Sequence, residues 1–188
     1  MPTAVIGDSG PEMAALVASR VLDVPDFPKP GIVFKDISPL LADHDGLTAV
    51  VQGLAAAGRD AEGNTVVDKV VGIEARGFIL AAPVALHLGT GFVPVRKQGK
   101  LPGETHEVSY ELEYGEATLE LHKDAISEGD RGLVIDDVLA TGGTVGATRQ
   151  LIEKCGGHVH AVAVLMELSF LPGREAIGDI PLTSLHVV

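Results

Sequence analysis

The sequence predicts an α/β fold, a mainly parallel sheet flanked by helices, and three observations predict it. Val/Ile-rich runs of strand length recur at residues 66–73, 91–96, 132–135 and 159–165. They are mostly apolar without a polar residue at every second position, as strands buried on both faces are. Between them lie segments with helical spacing, so strands alternate with crossovers. Hydrophobic residues make up 46% of the chain and aromatic residues only 4%, a core stock of Val, Leu, Ile and Ala that suits strands covered by helices.

The elements follow in order. The first dozen residues are small and polar and read as frayed. Residues 12–22 place Met13, Leu16, Val17 and Val21 on one helical face. Asp26, Phe27, Pro28, Lys29, Pro30 and Gly31 break regular structure, and 32–34 reads as extended. A helix is predicted over 46–57, a strand over 66–73 and a Gly-containing turn over 74–77. A helix over 78–88 carries Pro83 at a cost. A strand over 91–96 leads into a polar Gly/Pro loop over 98–106. Residues 108–113 and 116–122 flank Tyr114-Gly115 as a hairpin. Strand 132–135, helix 143–155 closed by Gly156-Gly157, strand 159–165 and a last strand over 182–188 complete the chain. Ligands bind beyond the carboxyl ends of parallel strands, which selects the loops 74–77, 98–106 and 136–144.

At 188 residues the chain suits one domain with a small appendage. Its net charge of −12 argues against general nucleic-acid binding. Positive charge is concentrated in one place, at Arg96, Lys97 and Lys100. The longest apolar stretch, 78–86, is too short to span a membrane, and no secretory signal is visible. Cys155 is the single cysteine, so no intramolecular disulfide forms, which fits a reducing cytoplasm.

The strongest chemical signal is Gly132-Leu133-Val134-Ile135-Asp136-Asp137-Val138-Leu139-Ala140-Thr141-Gly142-Gly143-Thr144. Small residues let backbone N–H groups approach a phosphate, and the following helix adds unpaired N–H donors and a positive dipole end. Thr141 and Thr144 add hydroxyls. Two ionised carboxylates accept from vicinal hydroxyls, as on a ribose. The segment ends in neither the Gly-Lys-Ser/Thr of a Walker A loop nor the Gly-x-Gly-x-x-Gly of a dinucleotide site.

This segment resembles the 5-phosphoribosyl pyrophosphate (PRPP) motif of type I phosphoribosyltransferases. The resemblance implies ribose binding by Asp136 and Asp137, and 5′-phosphate binding by Ala140, Thr141, Gly142, Gly143 and Thr144. Further segments resemble adenine phosphoribosyltransferases in particular: Asp26 to Leu40 its base-binding segment, Gly72 to Phe78 its pyrophosphate loop, Arg96 to Gly103 its lid, and Tyr110 to Gly115 the strand after the lid. The implied fold is the type I phosphoribosyltransferase fold. A small N-terminal hood (residues 1–45) and a mobile lid hairpin accompany a PRPP-binding core (46–188).

The implied reaction is adenine plus PRPP giving AMP and pyrophosphate, in purine salvage. The implied roles are adenine binding by Val33, Phe34, Lys35 and Val138; pyrophosphate binding by Glu74, Ala75, Arg76, Arg96, Lys97 and Lys100; and catalysis by Glu113. A cis peptide between Glu74 and Ala75 is implied as well. Lys35 and Val138 stand where many relatives carry Arg and Leu, and the second change trims the base slot by one carbon. Mg2+ is expected on ligand and water oxygens, with no dedicated protein metal site. A homodimer without nucleic-acid or membrane partners is expected.

Alternatives stand beside these roles. Glu111, Glu113, Glu116 and Glu120 could form the wet face of a hairpin. His158 and His160 are too few for a metal site and read as a half-exposed strand face, and Cys155 reads as packing. An oxopurine acceptor, a PRPP-sensing regulator and a non-catalytic nucleotide-binding module are the rival functions.

Overall fold

The computed structural model describes residues 10–111 and 115–188. The predicted fraying therefore lies largely outside the described residues, and helix α1 (Pro11–Arg20) begins at once. An antiparallel ribbon follows, β1 (Leu22–Pro25) with β2 (Val33–Asp36). Then come α2 (Ser38–Ala42), α3 (His44–Ala55) and a single 3-10 turn, Ala56–Gly58. The remainder is β3 (Lys69–Ile73), α4 (Arg76–Leu88), β4 (Gly91–Lys97), β5 (Thr105–Glu111), β6 (Glu116–His122), β7 (Arg131–Leu139), α5 (Gly143–Lys154), β8 (His158–Glu167), α6 (Gly173–Ile177) and β9 (Leu182–Val187).

Seven of these strands form one sheet in the order β5-β6-β4-β3-β7-β8-β9. The contacts from β4 to β9 are parallel, and β6 joins β4 antiparallel, bringing β5 to the edge. Side-chain alternation builds two cores. Val70, Leu133, Ile135, Ala161 and Ala163 face one core with α3 and α4. Val71, Val134, Val162 and Val164 face the other with α5 and the β5–β6 hairpin. Each fully buried Val, Leu or Ile contributes about 1.5–3 kcal/mol.

The observed boundaries correct the sequence reading where neighbours override local pattern. α1 stops at Arg20 because Leu22 pairs with Asp36 in the ribbon. β5 begins at Thr105, inside the predicted loop, because it pairs with His122. β7 runs four residues past the predicted end at Ile135, because β8 accompanies it as far as Leu139↔Glu167. α2 and α6 have five residues each, too few to show a helical period. α4 continues through Pro83 and closes on Gly89 in the left-handed conformation.

β3 feeds α4 and then β4 on one side, whereas β7 feeds α5 and then β8 on the other. The strand order therefore reverses between β3 and β7, and the crevice at their carboxyl ends is the switch point of the sheet.

The opposite end of the same strand pair is tied by charge. Asp68, just before β3, accepts from the Arg131 backbone N–H and Nε, both at 2.9 Å, and from Nη2 at 3.1 Å. The Arg131 guanidinium and its backbone N–H hold the Asp68 carboxyl at about 2, against an ordinary 3.8. A depressed acid stabilises the fold above its unfolded value and loses that contribution as pH falls through its folded one. Asp68→Asn should therefore melt roughly 2–4 °C below the parent at pH 6, a modest gap because the pair is exposed. Melting curves between pH 6 and pH 2 should show the gap closing from about pH 4 downward. A gap independent of pH would count against the ion pair.

Candidate active site

Two chain segments meet at the β3/β7 switch point. From β7 come Asp136 and Asp137, which the structure places within the strand rather than in a loop. The turn proper is Ala140-Thr141-Gly142, and α5 starts at Gly143. Asp136, Ala140, Thr141, Gly142 and Thr144 line a small cleft of about 60 Å3 at the N-terminus of α5, together with Val138, Leu139 and Val145. The first N–H groups of α5 have no intrahelical acceptor, so the cleft presents donors and a positive dipole end.

Gly142 is required for two reasons. Its φ is +84°, and a Cβ there would lie 2.7 Å from the Ala176 Cβ and 3.0 Å from the Gly173 carbonyl oxygen. α6 thus backs the turn. It is itself anchored by Arg174, whose Nε donates to Glu167 at 2.8 Å. Thr144 Oγ1 donates to the Tyr110 hydroxyl at 3.3 Å, so β5 braces the other side of α5. Neither Tyr110 nor α6 stood out as part of the site in the sequence, because both reach it only through tertiary contacts.

The two acids differ. Asp137 is 7% exposed and pairs with Arg76 Nη2 at 2.5 Å. Asp136 Oδ1 accepts the Asp137 backbone N–H at 2.9 Å. Burial, and then the adjacent Asp137 carboxylate, push the Asp136 carboxyl well above the ordinary range. A raised acid lowers stability as pH climbs above its unfolded value, since only the unfolded chain ionises freely there. Asp136→Asn keeps an oxygen for the Asp137 N–H and removes that cost. It should gain stability at pH 7, read from denaturant curves, while PRPP turnover falls by about tenfold or more. Lower stability together with full activity would contradict both halves.

From β3 comes the turn that opens α4. The Glu74–Ala75 peptide is cis, as the resemblance implied. Glu74 accepts from Arg96 Nε at 3.3 Å, the Lys97 backbone N–H at 3.0 Å and Lys100 Nζ at 2.5 Å. Burial pushes its carboxyl up, but Lys100, the Lys97 N–H and Arg96 outweigh that and hold it below the ordinary value. Two of the predicted pyrophosphate cations, Arg96 and Lys100, are thus gathered on one carboxylate, which also holds the Lys97 backbone.

Arg76 reaches the other way. Nη1 donates to the Lys35 carbonyl at 2.9 Å, and its guanidinium lies 4.8 Å from the centre of the Phe34 ring. Phe34 stacks edge-on with Phe27 at 5.1 Å, and Lys35 Nζ pairs with Asp23 at 2.7 Å. Val33 is exposed, and Val138 sits on β7 beside Met166. Arg76 therefore contacts both the β2 segment predicted to read the base and the acid predicted to hold the ribose. Glu113, the predicted catalytic residue, lies outside the described residues together with Leu112 and Tyr114.

The wet-face reading of the hairpin holds at Glu111 and Glu116, which are exposed, and is corrected at Glu120. Glu120 is 3% exposed and accepts backbone N–H groups from Gly99, Lys100 and Leu101 at 3.1, 2.8 and 2.6 Å. Cys155 is half-buried against the α5 core, and burial, then Asp124, push its thiol up, which makes it a packing residue. Among the described residues no group of three or more His, Cys, Asp or Glu side chains could hold a metal ion. Nor is any helix among them long and apolar enough to cross a membrane.

Residues 41–171 match the family model described as "Phosphoribosyl transferase domain". The chain is 67% identical to an adenine phosphoribosyltransferase of a Nocardioides species over 95% of this chain and 98% of that relative. It belongs to the adenine phosphoribosyltransferase family. The adenine phosphoribosyltransferase of Salinispora tropica is 56% identical over 99% of this chain and 97% of the relative. Among solved members of the family, the Rhodothermus marinus protein superposes with a TM-score of 0.88 at 46% identity, covering 95% of this chain and 100% of that one. The Saccharomyces cerevisiae member superposes at 0.87 with 36% identity, covering 93% and 98%; its structure is of a complex with D-2,5-dideoxy-2,5-imino-altritol 1,6-bisphosphate and adenine. The fold described above is thus that of the type I phosphoribosyltransferases.

Proposed function

We propose that this chain transfers the 5-phosphoribosyl group of PRPP to adenine, giving AMP and pyrophosphate in purine salvage. The observation that carries the reading is the reach of Arg76. It contacts Phe34 and the Lys35 carbonyl on one side and Asp137 on the other. The reaction joins a purine nitrogen to ribose C1, so the group that reads the base and the group that holds the ribose must adjoin. The named relatives support adenine as the base.

The roles follow from chemistry. The base enters an apolar slot beside Phe34 and Val138, read by backbone groups at Val33 and Lys35. Asp136 and Asp137 hold the ribose hydroxyls, and 140–144 hold the 5′-phosphate through N–H donors. As the C1–oxygen bond breaks, charge builds on the departing pyrophosphate, and Arg76, Arg96, Lys97 and Lys100 supply the counter-charge. Glu74 holds two of these cations, Arg96 and Lys100, until pyrophosphate competes for them. Glu113 handles a proton of the purine ring or steadies developing charge. The loop between β4 and β5 closes over the site and excludes water, which would otherwise hydrolyse PRPP.

Mg2+ fits this donor set as a ligand-carried ion. Two adjacent acids, with no third candidate ligand among the described residues, suit an ion held mainly by PRPP and water oxygens. When bound, it neutralises pyrophosphate charge and orients it. The chain acts in the cytoplasm, as its single cysteine suits, and forms a homodimer through the exposed apolar edge of α4 and β4, where Ile79, Leu86 and Phe92 stand.

The test is to mix purified protein, PRPP and Mg2+ with adenine, hypoxanthine, guanine or xanthine separately, and to measure pyrophosphate and the monophosphate. AMP from adenine alone is expected. Product from an oxopurine instead would remove the adenine assignment of the Phe27 to Pro39 segment and leave the PRPP site standing.

A further inference from the structure

We propose that Glu120 is a positioning residue that clamps the root of the β4–β5 loop, so that Lys100 and Arg96 are held where the pyrophosphate leaves. This rests on the reading of the site given above. β4 pairs with β6 as far as Lys97, and Gln98 N–H still donates to the Thr118 carbonyl at 3.0 Å. The chain then folds back over β6. Gly99, at φ +80°, turns it so that three consecutive N–H groups point at one carboxylate. Oε1 takes two of them and Oε2 the third.

The clamp fixes more than backbone. With Lys100 in place, its carbonyl accepts Arg96 Nη1 at 3.1 Å and its ammonium reaches Glu74 at 2.5 Å. An unbroken chain of bonds thus runs from a buried acid on β6, through the loop, to the turn after β3. Burial alone would push the Glu120 carboxyl up; the three N–H groups and the Arg96 charge hold it below its ordinary value, so it remains an acceptor at neutral pH. A glutamine cannot replace it, because its amide nitrogen would face an N–H donor whichever way the group is turned.

The test uses the full chain and two variants. In Glu120→Gln, trypsin should cleave after Lys97 and Lys100 about tenfold faster than in the parent without ligand, since at least one bond is lost and those that remain no longer go to a charged acceptor. The KM for PRPP should rise by about tenfold, while the KM for adenine stays within about twofold. Glu120→Asp retains the charge on a shorter arm and should lie between the two, and it keeps the question open to test if Glu120→Gln does not fold. Unchanged cleavage in both variants would overturn the clamp. So would equal rises in both KM values with faster cleavage at remote sites such as Arg149, which mark general loosening. If the parent shows no turnover with any purine, the functional reading fails, and the trypsin comparison alone still decides the clamp.

Discussion

Replacing Gly142 with alanine should abolish most PRPP binding while costing about 2–4 kcal/mol of stability. Two independent penalties combine. A left-handed conformation at φ +84° costs an L-residue about 1–2 kcal/mol. The new Cβ would also lie 2.7 Å from the Ala176 Cβ and 3.0 Å from the Gly173 carbonyl oxygen. Because Arg174 and Glu167 anchor α6, the turn rather than the helix must yield, and it yields at the donors proposed to hold the 5′-phosphate. The thermal midpoint should fall by roughly 5–15 °C and the KM for PRPP should rise by about a hundredfold. Gly146→Ala is the control, since nothing lies within 4 Å of a Cβ there, and alanine in a helix interior should be neutral or stabilising. A Gly142→Ala protein with a lowered midpoint but an unchanged KM for PRPP would remove the turn from the phosphate site.

Arg76→Ala should lower kcat/KM by roughly a hundredfold to a thousandfold. The Asp137 side chain is 10% exposed, and the Asp136 carboxyl is its direct neighbour. Removing Arg76 leaves this acid pair without its nearest cation, a loss of about 3–5 kcal/mol for buried pairs. The same substitution frees the Lys35 carbonyl and the Phe34 ring, so binding of adenine and of PRPP should weaken together. That pattern separates it from Glu120→Gln, where only the PRPP side should move. Arg76→Lys should recover less than a tenth of the loss, because an ammonium cannot hold a carboxylate, a carbonyl and a ring face at once. Calorimetric titration with adenine and with PRPP checks the prediction; a change confined to PRPP would sink the bridging role.

Some of the site was legible because its signals are local. The acid pair and the Thr-Gly-Gly-Thr turn are contiguous, and each residue type carries its use with it: hydroxyl acceptors, small residues for close approach, and a helix start. The hairpin was legible as a hairpin, but the cover over one of its glutamates was not. Glu at 111, 113, 116 and 120 matches a solvent face, and Glu111 and Glu116 are exposed there, whereas Glu120 is buried because a loop about twenty residues earlier folds over it and supplies three N–H groups. Arg76 was legible as a cation in the turn after β3. Its contacts to Lys35 and Asp137, 41 residues before and 61 after it, were not.

By itself the sequence determined the strand–helix alternation, the parallel sheet, the small-residue turn that opens α5 and the concentration of positive charge at the end of β4. These depend on residue type and short-range period. Only the tertiary structure decided that β3 and β7 lie side by side, that the strand carrying the two acids runs on to Leu139, that α6 stands behind Gly142, and that one guanidinium links β2 to β7. Those outcomes depend on which distant segment supplies a backbone partner, a counter-charge or a surface to pack against. Such choices are settled only when the whole chain closes, because a strand's neighbour is selected by burial and hydrogen bonding across the sheet and not by its own residues.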